Sequence, residues 1–461
     1  MIHNRNTLKS QADIQVQSQI NDFFDRFKIG TMLHNCGVRK RHGYGVRSLI
    51  ETIFTLPFIG KNFFRGIVIN DKLPFAKDAA YEILKGTTSN WRKLLLSLGY
   101  YLFLFFNKLT NEDRETVLII DDSPYDRSRS KKVELLSRIW DHSSKRYMKG
   151  FRMLTICWSD GVSSLPLDFA LLSSANSKNQ ICGNIKTLDK RCNAYQRRQE
   201  AVTKSTGQLE TMVTRILSKG INADYLLMDS WFMMPTTITK LAAHINVIGM
   251  VKKTPKIHYQ YKGEQIDLKS IYRKLKKRRG KAKILTSAIV NLKDGRLAKL
   301  VFVRDKRKKD WLAILSTNTM LADDEIVRIY GKRWDIEVFF KMAKQHLCLA
   351  KEIQSRDFDA LIAHTTIVFM RYMFLSYQLR MQTDQRTFGD LFYACCDEVK
   401  DISFIESLHR ILNMATEHIR EIGSFCEKTA HVLLDTIIET ALMNVGFSKN
   451  YLGIVKLNPE S

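Results

Sequence analysis

Five side chains in the second half of the chain are spaced to act together. Tyr330, Arg333, Glu337, Lys341 and Lys344 stand at positions i, i+3, i+7, i+11 and i+14 of one run. On a helix turning about 100° per residue they share a sector of roughly 80°. Most other positions are apolar: Trp334, Ile336, Val338, Phe339, Phe340, Met342 and Leu347. The pattern predicts a buried helix from Asp323 to Leu347, N-capped by Asp323, with a narrow polar stripe. One carboxylate among basic and hydroxyl groups suits a metal ligand flanked by phosphate-holding side chains. The competing reading is an internal ion-pair face, with Glu337 between Arg333 and Lys341. Periodicity alone does not choose between them.

Two acids upstream bear on that choice. Thr116-Val-Leu-Ile-Ile runs into Asp121-Asp122-Ser123, and Tyr225-Leu-Leu-Met runs into Asp229-Ser230. Both read as buried strands ending in acid, and strand ends of an α/β sheet are where sites form. Acid-terminated strands are common, so neither aspartate is telling alone. Two of them followed by a helix-borne glutamate form a rarer set. Three hard oxygen donors can hold two Mg²⁺ ions about 4 Å apart, one activating water and the other stabilising a leaving 3′ oxygen. Side chains alternate along a strand, so only one of Asp121 and Asp122 should face the site.

The elements that must position these groups follow from pattern. Gln15–Phe27, Val46–Phe54 and Ala79–Phe106 carry helical apolar spacing, with a basic, glycine-punctuated loop from Cys36 to Gly45 after the first. After Thr116 the texture becomes strand-like. Arg152–Trp158 and Leu165–Leu172 flank a Ser159-Asp-Gly-Val-Ser turn. A long polar helix over Asn193–Leu217, the strand Tyr225–Met228, a helix over Thr236–His244 and the strand Asn246–Val251 complete a mixed α/β series. Lys252 to Lys283 is markedly basic. It leads into short strands at Lys283–Val290, Ala298–Arg304 and Trp311–Leu315 with charged turns between them. Beyond about residue 356 the chain reads as helices.

At this point the sequence resembles the bacterial insertion-sequence transposases of family four. Tyr330-x₂-Arg333-x₃-Glu337-x₆-Lys344 matches that family's YREK motif in all residues and spacings, and the order Asp, Asp, Glu matches its DDE triad. The resemblance spans about residues 116–350. It implies an RNase H-like core with a β-rich insertion before the glutamate helix, flanked by helical regions. It further implies that Asp122, Asp229 and Glu337 hold two Mg²⁺ ions, which Mn²⁺ can replace. Asp122 is preferred to Asp121 because the family's acid is typically followed at once by Ser or Thr, here Ser123. Tyr330, Arg333 and Lys344 would grip phosphates near the transposon end. Trp311 looks like the insertion-domain Trp that receives a flipped base when a DNA hairpin forms, since aromatic stacking suits an unpaired base. Its competing reading is a core aromatic. After Asp229 the chain reads Ser230-Trp-Phe rather than the Arg-Glu-Ala-Asp run of some relatives, which sets it in another subgroup.

The expected division is a helical DNA-binding region over 1–110, the first part of the core over 111–251, the basic β-rich insertion over 252–316, the second part of the core over 317–380 and a helical, dimerising region over 381–461. The expected activity is DNA strand cleavage and strand transfer at terminal inverted repeats, by a homodimer acting on double-stranded DNA. Two alternatives stay open: an RNase H-like nuclease that cuts without joining, and a domesticated, non-catalytic DNA-binding protein.

Composition agrees with a DNA partner. The formal charge is +26, an excess that phosphates neutralise with release of condensed counterions. The rival, an anionic membrane, lacks a convincing span, because Ala360–Leu379 contains His364 and Arg371. With no signal-peptide core at the polar N-terminus, the expected location is the cytoplasm, on the nucleoid when DNA is bound. The eight cysteines show no Cys-x-x-Cys pair. Cys36 with His34 and His42 forms the only cluster with any metal-ligand character, and a weak one.

Overall fold

The computed structural model describes residues 16–381 apart from positions 41, 70–72, 74, 110–113, 142–143, 279, 281 and 306–309. The chain divides into two units, Met1–Cys396 and Asp397–Ser461. The helical region expected over 381–461 lies outside the described residues except for Met381.

The N-terminal part is helical, as its apolar spacing predicts: α1 (16–26), α2 (Ile29–Asn35), α3 (Val46–Thr55), α4 (Lys77–Leu84) and α5 (Trp91–Asn107). The helix expected over Ala79–Phe106 is two helices. The chain turns at Gly86, and Asn90 caps α5 by accepting the Lys93 N–H. A long apolar run thus hid a break that the glycine and the capping residue mark.

The sheet follows: β1 (Val117–Asp126), β2 (Ser137–Asp141), β3 (Arg146–Ser159) and β4 (Ser164–Leu172). Then come α6 (Asn193–Ala201), α7 (Ser205–Ser218), β5 (Tyr225–Met228), α8 (Pro235–Leu241) and β6 (Asn246–Val251). The polar helix expected over Asn193–Leu217 is therefore split between α6 and α7. Strands β4, β3, β1, β5 and β6 lie side by side in that order. β3 is antiparallel to β1 and β4, and β5 runs parallel to β1 and β6. This is a mixed α/β sheet of the RNase H-like kind. Val117 to Ile120 are fully buried, as expected of a central strand covered on both faces.

The basic insertion contains β7 (His258–Tyr261), β8 (Glu264–Asp267), α9 (Leu268–Lys274), β9 (Ile284–Asn291), β10 (Leu297–Asp305) and β11 (Asp310–Ser316). It continues the core sheet: β11 pairs antiparallel with β6, and β10, β9, β7 and β8 follow outward. The chain then forms α10 (Asp323–Gly331), α11 (Trp334–Gln345) and α12 (Phe358–Met381). Among the described residues α12 is the one helix long and apolar enough to cross a membrane, and its apolar stretch is wholly buried within the protein. Phe374 of α12 meets Phe23, Phe54 and Phe58 at ring separations of 5.3, 5.9 and 5.6 Å, so the N-terminal helices share its core.

Two ionic groups are buried around α12. Arg371 donates to both oxygens of Glu352, and His364 Nε2 lies 2.7 Å from Glu352 Oε2. Asp359 accepts from Arg197 and Arg198, and Arg198 also binds Glu134. Pairing of opposite charges is what makes them tolerable at such depth.

Candidate active site

The expected single helix from Asp323 to Leu347 is two helices end to end. At the junction the Arg333 N–H bonds Tyr330 O and the Asp335 N–H bonds Lys332 O, a tightening to i→i−3 spacing. Ala322, not Asp323, occupies the cap position, and its N–H donates to Glu325 Oε2 at 2.9 Å. The polar stripe crosses the junction: Tyr330 closes α10, Arg333 sits at the break, and Glu337 and Lys344 lie on α11. The pair is less buried than the pattern implied, since Trp334 is 63% exposed.

Strands β1 and β5 bring the acids together. They pair in parallel with Ile120 beside Met228. Asp121 and Asp229 are each one step further, although β1 runs on past Asp121 to Asp126 rather than ending at the acid, whereas β5 ends at Met228. Adjacent strands are about 4.8 Å apart and in-register neighbours share a face, so these two carboxylates point the same way. Burial and the neighbouring charge of Asp229 push Asp121 up to about 7, against the opposing pull of Arg333. Arg333 donates from Nη1 to Asp121 Oδ2 at 3.0 Å and from Nη2 to Glu337 Oε1. One guanidinium therefore bridges the strand acid and the helix acid.

Tyr330 completes the group. Its hydroxyl is pushed up to about 12, first by burial and also by the charges of Asp229 and Asp121, while Arg333 pulls it down. Burial works against the charge of Arg333, but Tyr330, Asp121 and Glu337 outweigh it and raise its pKa. Lys344 donates to Ser123 Oγ at 2.5 Å, and burial lowers its pKa against the attraction of Asp141 and Asp126. Lys341 is exposed on the same helix.

Asp122 is placed differently. Alternation along β1 turns it to the opposite face from Asp121. There it forms an ion pair with Arg152 Nη1 at 2.6 Å, and Arg152 Nη2 also donates to Trp140 O at 2.7 Å. Of the two candidates for the first acid, the structure sets Asp121 beside Asp229 and Arg333, and Asp122 away from them. Trp311 opens β11 in an aromatic cluster. Its ring stacks on Tyr272 at 4.5 Å and meets Phe302 edge-on at 5.2 Å, with the Lys253 ammonium 4.0 Å from its centroid.

Two groups absent from the sequence reading border the acids. The Trp231 N–H donates to Asp229 Oδ1 at 2.8 Å, and the indole, half exposed, carries the Lys252 ammonium 4.3 Å from its centroid. Arg152 is the other, through its pair with Asp122. The matched lengths of the two apolar runs, four strand residues before each acid, held a usable signal: in-register parallel pairing aligns Asp229 with Asp121. Cys36 is buried, its thiol pushed up to about 11 by burial. Among the described residues no three His, Cys, Asp or Glu side chains stand together to hold a metal ion.

Comparison with known proteins adds one match. Residues 78–289 match the sequence model of a family described as DDE superfamily endonuclease. The matched segment includes β1 and β5 with Asp121, Asp122 and Asp229, and ends before Glu337. No curated protein matches the chain. DDE endonucleases generally use divalent metal ions and act on DNA. The match, on an RNase H-like sheet, supports a nuclease of the DDE transposase-like kind.

Proposed function

We propose that this protein is the transposase of an insertion sequence, cleaving DNA at terminal inverted repeats and joining the 3′ ends to target DNA. The observation that carries the reading is the bridge of Arg333 between Asp121 and Glu337, with Asp229 beside Asp121 on the neighbouring strand. In this reading the ligand set is Asp121, Asp229 and Glu337, with Asp121 in place of Asp122.

A divalent cation fits the donors. They are hard carboxylate oxygens of the kind Mg²⁺ and Mn²⁺ prefer, and burial, with Asp229 nearby, disfavours the charged form of Asp121, a cost that a bound cation would offset. The Arg333 guanidinium now supplies part of that compensation, so gathering all three acids on metal requires its ion pairs to be exchanged. When bound, two such ions would activate the attacking oxygen and stabilise the leaving one. The chain's own groups do the rest. Arg333, released from the carboxylates, offers a planar fork to a phosphate. Tyr330 offers a neutral hydroxyl, and Lys344 a point charge beside Ser123. The helical N-terminal region and the basic insertion would hold the flanking duplex by its backbone, and a homodimer would pair two ends.

Hydrolysis without joining is the second reading, favoured by the endonuclease description of the matched family. An oligonucleotide assay separates the two. Pre-nicked inverted-repeat ends incubated with target plasmid and Mg²⁺ should yield covalently joined product. Nicked ends and cut plasmid without joined product would leave the nuclease.

A further inference from the structure

A second surface of the sheet has the make-up of a nucleic-acid contact. β2 and β3 form a hairpin whose register sets Arg138 opposite Lys149 and Trp140 opposite Tyr147. Alternation puts these four side chains on one face. Tyr147 is 67% exposed and Trp140 37%, and Arg138 is exposed as well. The two exposed rings leave apolar surface in water that a partner could cover, and exposed Arg138 with half-buried Lys149 flanks them with positive charge. Along β3, Lys149 is six residues from Thr155, the partner of Asp121, so both ends of this stretch lie on one side of the sheet, with Phe151 and Met153 buried between them. At about 3.3 Å per residue the separation is roughly 20 Å.

We infer that the β2–β3 hairpin binds unpaired DNA bases adjoining the cleaved phosphate, Trp140 and Tyr147 stacking on bases while Arg138 and Lys149 hold the backbone. The inference rests on the transposase or nuclease reading of the acids. Phosphate-seeking charge alone suits any duplex, but exposed rings gain from bases only where these are unstacked from their partners. At about 3.4 Å per stacked nucleotide, a span of roughly 20 Å corresponds to about six nucleotides. Arg152, on the face of the sheet opposite Asp121, joins the backbone of Trp140 to Asp122 and so braces the hairpin against β1. The bland alternative is that Trp140 and Tyr147, with rings 5.0 Å apart, serve only as a cross-strand pair that stiffens the hairpin.

The test is fluorescence anisotropy with the full chain and two labelled DNAs: a paired duplex, and the same duplex carrying an unpaired flap of about six nucleotides. The wild type is expected to prefer the flapped DNA. Trp140→Ala with Tyr147→Ala should weaken flap binding about tenfold and leave duplex binding nearly unchanged. Trp140→Phe with Tyr147→Phe, which keeps rings and fold, should retain most of the preference. Arg138→Ala with Lys149→Ala should weaken both DNAs and flatten the salt dependence by about two in slope. Equal loss on both DNAs from the aromatic-to-alanine pair, or none, overturns the inference and leaves the catalytic reading standing. Failure of the wild type to bind either DNA overturns both.

Discussion

Asp121, midway along β1, and Asp229, just past the end of β5, each stand one step beyond the paired Ile120 and Met228 of these adjacent parallel strands. The relationship makes a two-acid edge on one face of the sheet, and Arg333 ties that edge to Glu337 on α11.

Removing the tie should separate its two roles. Arg333→Ala is expected to weaken binding to inverted-repeat ends about tenfold, in line with the loss of a charge-assisted phosphate contact. Electrophoretic mobility of end complexes measures it. Normal complex formation would confine Arg333 to its internal pairs with Asp121 and Glu337.

Trp311 is stacked on Tyr272 and packed against Phe302, so its first contribution is to the insertion's own core. Trp311→Ala should cost about 2 kcal/mol of stability, less than the loss of a fully buried aromatic because the ring is only partly covered. Denaturant titration reads this. Unchanged stability together with a lost hairpin product would instead assign the ring to a flipped base.

The buried triad of Glu352, Arg371 and His364 should be intolerant of partial removal. Arg371→Met leaves Glu352 enclosed without its bidentate partner, and a loss of about 3–5 kcal/mol is expected. The double change Arg371→Met with Glu352→Gln should recover part of it. Equal destabilisation of the single and double variants would argue against an uncompensated charge as the cause.

The same triad carries a pH signature. Burial holds the pKa of His364 below its usual 6.5 despite the pull of Glu352. As pH falls below 6.5 the unfolded chain takes up a proton that the folded chain refuses, so this contribution is complete above 6.5 and shrinks on acidification. The slope is at most about 1.4 kcal/mol per pH unit. Asp121, raised to about 7, acts in the opposite direction over the same range, so the diagnostic is a difference. Urea midpoints between pH 7.5 and 5.5 should fall more for the wild type than for His364→Gln, and matching pH dependence would refute the assignment.

Much of the arrangement could be read in the sequence for plain physical reasons. Four-residue apolar runs before an acid give β5 and the start of β1, which runs on to Asp126 rather than ending at the acid, and the run Asn246–Val251 gives β6. The stripe at helical spacing gives the Tyr330, Arg333 and Glu337 grouping. What stayed hidden depends on pairing between distant segments. The proposal of Asp121 over Asp122 rests on the register of β1 against β5, and local preference for a following Ser gives no information on that register. β2, with alternating Arg138 and Trp140, lacks the apolar run that marks a buried strand. Attachment of the insertion through β6 and β11 is likewise a long-range pairing. The helix breaks at Gly86, Val202 and Arg333 lie inside periodic runs, where pattern favours continuation.

The most direct measurement is Mg²⁺-dependent cleavage of inverted-repeat DNA by Asp121→Asn and Asp122→Asn side by side, with DNA binding as the control. Asp121→Asn is expected to lose activity about a thousandfold or more, since metal stabilisation of the transition state amounts to several kcal/mol, with binding preserved. Asp122→Asn, which only weakens the pair with Arg152, should retain most of the activity. Full cleavage by Asp121→Asn, with activity lost in Asp122→Asn, would contradict the proposed ligand set.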